Sequence, residues 1–189
     1  MNGRDIGKEN LKNDRPFNNH SSNCLEILLS FIFTLDESAD FLLRQIESNS
    51  ELISLFDIGY DDQTDTTYKA LVSLEQIPGE PQKHYELSFL ITEFDQENQE
   101  VLHNDGQSTK SFLVGDNRNK VLAVICQVAC HLAESSRARI LIINTVQTYL
   151  PEKALAKYDT ICASLRSHGY EGRRVDSYHG AEQWQIIKN

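Results

Sequence analysis

Residues Arg139–Thr145 read RILIINT, an almost unbroken apolar run with a helical stripe on either side of it. Such a run marks a central strand covered on both faces, because a strand with one wet face alternates instead. Upstream, Lys120–Glu134 puts Val121, Val124, Ile125, Val128 and Leu132 along one stripe, widened by Ala and Cys, as suits a helix lying on a sheet. Downstream, Pro151 and Glu152 open a helix that runs to His168 and stops at Gly169. Both helices demand a sheet beneath them.

Period-two alternation supplies that sheet. Tyr68, Ala70, Val72 and Leu74 alternate with Thr67, Lys69, Leu71 and Ser73, and Tyr85, Leu87, Phe89 and Ile91 alternate with Glu86, Ser88, Leu90 and Thr92. Pro78, Gly79 and Pro81 mark the turn between them, too short for a helical crossover, so the pair is antiparallel. Residues 95–109 read as a polar turn, Ser111–Val114 as a third strand, and Tyr170–Asp176 and Glu182–Ile187 as a final pair joined through Gly180. Earlier in the chain, Leu25, Leu28, Leu29, Ile32 and Phe33, then Phe41, Leu42, Gln45, Ile46 and Leu52, predict two consecutive helices or one kinked helix over 23–56, with Asp36 and Ser38 as caps. Asp57–Asp65 reads as an acidic loop. Residues 1–22 read as a flexible leader and 23–189 as a single α+β domain, with helices on a mixed, mostly antiparallel sheet that holds a parallel central pair.

Charge narrows the function classes. The chain carries 18 Lys and Arg against 28 Asp and Glu, for a net charge of −10 and a pI near 5.0. Bulk electrostatic binding of duplex DNA is not expected at that balance. The longest apolar run, near Leu25–Leu35, is about half of the ~20 residues that span a bilayer, so a soluble cytoplasmic protein is expected. The acids are concentrated in residues 21–106, where Arg44, Lys69 and Lys83 are the bases, while the last third is net basic. Within the acidic stretch Asp61, Asp62 and Asp65 offer a face to a basic protein partner, and a homodimer also stays open. A calcium loop is excluded there, since no glycine falls at the sixth position after Asp57 or Asp61.

Other candidates have plainer readings. Cys126, Cys130 and His131 share a helix and offer metal-ligand spacing, but no C-x-x-C supports them and core packing is the expected role. No metal is expected. His168 suits a helix C-terminus, while Glu93 and the Asp176–Gly180 turn with His179 are where a base would be sought. Arg137, Arg139, Arg166, Arg173 and Arg174 suit phosphate, an acidic partner or, preferably, acids within the fold or a dimer.

Over residues 111–187 the order strand, helix, central strand, helix ending in Gly169-Tyr170, then two strands resembles the carboxyl half of the GNAT-type N-acetyltransferase fold. The resemblance implies that Arg118, Asn119 and Lys120 open a helix whose backbone N–H groups hold the pyrophosphate of acetyl-CoA. Arg118–Ala123 keeps the arginine and the final small residue of that family's loop, with Val121 in place of its central glycine. Leu165 stands where the family often has a tyrosine acid, four residues before Gly169, and Asn144 matches a polar residue near the end of the central strand. Two functions follow as expectations. The first is a non-catalytic GNAT-like domain acting as an acidic protein-interaction module, in the manner of an immunity or antitoxin protein, with no cofactor. The alternative is an atypical acyl-CoA-dependent N-acyltransferase using acetyl-CoA.

Overall fold

The computed structural model describes residues 31–35, 44–47, 50–64, 66–81, 83–95, 100–104, 108–145 and 147–189. The leader expected at 1–22 lies outside them, as do 23–30 and 36–43 of the expected helical segment. The described chain is an α+β fold, one mixed and mostly antiparallel sheet with two helices. Its strands are β1 (Phe31–Phe33), β2 (Arg44–Glu47), β3 (Glu51–Asp61), β4 (Thr66–Gln76), β5 (His84–Asp95), β6 (Glu100–Asn104), β7 (Ile140–Asn144), β8 (Tyr170–Tyr178) and β9 (Ala181–Lys188). The main path runs β1-β3-β4-β5-β7-β9-β8, with β2 on β3 and β6 on β5. No helix among the described residues is long and apolar enough to cross a membrane.

Three expectations are corrected. Phe31–Phe33, Arg44–Glu47 and Glu51–Asp61 are strands, not parts of helices over 23–56. In β3, Leu52, Ser54, Phe56 and Ile58 are buried while Ile53, Leu55 and Asp57 are more exposed, so the period of two overrides the helical spacing seen farther upstream. The same strand carries straight through the supposed acidic loop as far as Asp61, with a bulge between Asp57 and Gly59. That bulge needs a glycine: a Cβ on Gly59 would run into the Ile32 carbonyl and the Phe31 ring of β1. Lastly, Ser111–Val114 is no strand. The extra strand is β6, and Ser108–Ser111 forms a 3-10 turn that delivers Phe112 and Leu113 into the core.

The strands at 66–76, 84–95 and 170–188 stand as expected, and the sheet does hold one parallel pair, formed by β5 and β7. Helix α1 (Gly115–Ser135) buries the expected stripe together with Cys126, Ala129, Cys130 and Ala133. Helix α2 (Glu152–Arg166) buries Leu155, Tyr158, Ile161, Cys162 and Leu165. The two helices touch each other and cover one face of the sheet: α1 lies over β3 and β4, and α2 over β8. Tyr170 fastens this layer, its buried hydroxyl shared between the Ala133 and Ala138 carbonyls at 3.0 Å each. On the same side Tyr158 stacks between Phe89 and Trp184, at 5.8 and 4.6 Å between ring centroids.

Candidate functional site

With both described helices on one face, the other face of β3, β4 and β5 presents a regular array. The pairing aligns it in rows that cross the strands: Glu51–Glu75–Glu86, then Ile53–Ser73–Ser88, then Leu55–Leu71–Leu90, then Asp57–Lys69–Thr92. The rows follow from side-chain alternation, which sends every second residue to this face. Glu75 and Ser88 are exposed; Ile53, Leu55, Leu71 and Leu90 are half-buried. The Ser73 and Ser88 hydroxyls meet at 2.8 Å, making the second row shallow. Lys69 pairs with Asp57 at 3.1 Å, so the fourth row is neutralised.

Among the described residues, no cation pairs with the glutamates of the first row. Three carboxylates stand directly opposite one another on neighbouring strands, an arrangement that costs stability, since like charges in cross-strand positions repel. Across the parallel seam the row continues through Ile142 and Gln185 to Arg173. Asn144 donates to the Glu86 carboxylate at 3.0 Å and accepts from the Gln183 amide at 2.8 Å, which fixes Glu86 at one end of the row. Spacing in the sequence does not bring these glutamates together, because Glu51 falls in the segment expected to be helical and Glu75 lies just past the alternating run of its strand. Register brings them together.

Of the residues singled out in the sequence, Asp61 has a different role. It is 2% exposed, and its Oδ1 accepts the backbone N–H groups of Gln63 and Thr64 at 2.8 and 3.3 Å, closing the β3–β4 turn. Asp62 is exposed on that turn, and Asp65 lies outside the described residues. Asp61 is thus a turn-forming side chain turned inward and not part of an exposed acidic face.

Arg118, Asn119 and Lys120 are all exposed, but they do not open α1, which starts at Gly115 with Asp116 in its first turn. The Asn117 amide reaches the Phe31 carbonyl at 3.4 Å, and Lys120 sits 5.6 Å over the Phe33 ring. The start of α1 thus lies against β1, across β3 and β4 from the seam between β5 and β7. That seam pairs at 84–86 with 140–142, and β5 takes up β6 from Ile91 onward. The Glu86–Asn144 hydrogen bond spans the mouth of the resulting fork on one face, and the Phe89–Tyr158 contact flanks it on the other.

Glu93 is half-buried opposite Tyr68, whose phenol is pushed up to about 12 by burial, with Glu93 and Asp61 adding to the rise. His179 is exposed in the β8–β9 turn, on a left-handed backbone next to Gly180. Arg174 answers acids inside the fold, bonding Glu182 at 2.9 Å and Glu152 at 3.0 Å, and these bonds hold the Glu182 carboxyl below its ordinary range. Burial raises the thiols of Cys126, Cys130 and Cys162, the last two to about 11, so all three behave as core atoms. No family model matches this chain, and no curated protein or solved structure matches it significantly.

Proposed function

We propose that this domain is a non-catalytic interaction module that receives a basic protein partner on the open face of β3, β4 and β5. The observation that carries this reading is the Glu51–Glu75–Glu86 row beside the Leu55–Leu71–Leu90 row. A sheet that tolerates adjacent carboxylates on a face that neither described helix covers gives up some stability, and such local violations concentrate at functional surfaces. Cations of a partner offset the repulsion, and the leucines add apolar area to the contact.

The order helix, central strand, helix and two strands over residues 115–188 is what supports a GNAT-like relationship as a proposal of fold kinship, without the strand expected at Ser111–Val114. The acetyl-CoA activity of that family fits this chain poorly. A carboxylate, Asp116, occupies the helix turn where a pyrophosphate would sit, and that turn faces β1 and not the fork.

Oligolysine titrated into the full chain by isothermal calorimetry tests the reading. Binding at 50 mM NaCl should fall about tenfold in the Glu51→Gln/Glu75→Gln/Glu86→Gln variant, in keeping with roughly 0.3–1 kcal/mol per exposed ion pair. It should be unchanged in Asp62→Asn and should fade at 500 mM NaCl. Equal binding to the triple variant refutes the proposal, and an upward thermal shift with acetyl-CoA would restore the acyltransferase reading.

A further inference from the structure

We draw no further inference here: the strongest candidate, the buried Asp61 carboxylate at the β3–β4 turn whose Oδ2 has no hydrogen-bond partner, carries nothing, because its Oδ1 already serves that turn and no group of three or more His, Cys, Asp or Glu side chains that could hold a metal ion occurs among the described residues.

Discussion

The middle carboxylate of the acidic row, Glu75, has a like charge on each side, Glu51 on β3 and Glu86 on β5. Replacing it with glutamine keeps the side-chain shape and removes both repulsions at once. A like-charge cross-strand pair costs about 0.2–1 kcal/mol, so two pairs bound the gain at about 0.4–2 kcal/mol. Glu75 is exposed, and solvent screening places the gain in the lower part of that range, about 0.5–1 kcal/mol. For a chain of this length that corresponds to a rise in Tm of roughly 1–4 °C. Urea unfolding at neutral pH, in low salt and again in 1 M NaCl, measures it. The gain should shrink at high salt, where the Debye length of about 3 Å is shorter than the strand spacing. Glu171→Gln serves as the control, since its cross-strand neighbour is Ile187 and not an acid. A stabilised variant that also binds oligolysine more weakly would mark the row as a surface kept for binding at a cost in stability. Destabilisation by Glu75→Gln, or a gain indifferent to salt, refutes the reasoning.

Other sites give shorter tests. Gly172→Ala should destabilise by about 1–3 kcal/mol in urea unfolding, because the new Cβ would lie 2.8 Å from Cβ and Sγ of Cys162 on α2. Tyr170→Phe should cost about 1–2 kcal/mol, as the Ala138 carbonyl loses a buried donor while the Ala133 carbonyl still accepts from the Ala138 N–H at 3.0 Å. Iodoacetamide at pH 8 should leave Cys126, Cys130 and Cys162 unmodified in the folded chain, with about one thiolate in a thousand at Cys130 and Cys162, as read by peptide mass mapping. The hydrogen bond from His168, at 2.7 Å, holds the Glu134 carboxyl below its ordinary value. A depressed carboxyl adds stability above its unfolded pKa and loses it as pH falls through the folded one, so Glu134→Gln should flatten the acid limb of the stability–pH curve.

The central strand, both helices and the hairpins of the last two-thirds are legible because their patterns are undiluted: Ile140–Ile143 is apolar throughout, and the α1 stripe repeats without interruption. β3 was misread because its acids, Asp57 and Asp61, fall at the end of a strand where composition suggests a loop. One of them is in fact the turn's own hydrogen-bond acceptor. The start of α1 was placed too late because Gly115–Asn119 carries no apolar residue, so periodicity has nothing to register there. The acidic row was readable in part. The Pro78–Pro81 turn places Glu75 and Glu86 on the two arms of one hairpin, but a turn centred there would set Glu75 opposite His84, so their pairing comes from the register itself. Adding Glu51 requires the β3–β4 hairpin, whose first strand begins in the segment where spacing predicts a helix.

The parallel seam is three residue pairs wide, His84–Glu86 against Ile140–Ile142, and everything between those segments must be looped out before it can close. The β3–β4–β5 meander and the β8–β9 hairpin form from near neighbours, whereas this seam is paid for with the entropy of a long loop, so it should set the pace of folding. Until it closes, two part-sheets each hold an open strand edge, β5 in one and the β7–β9 unit in the other, and edges of that kind pair readily with other chains. This long-range junction is thus where newly made protein is most exposed to aggregation, and refolding yield should fall with protein concentration more steeply than native stability would suggest.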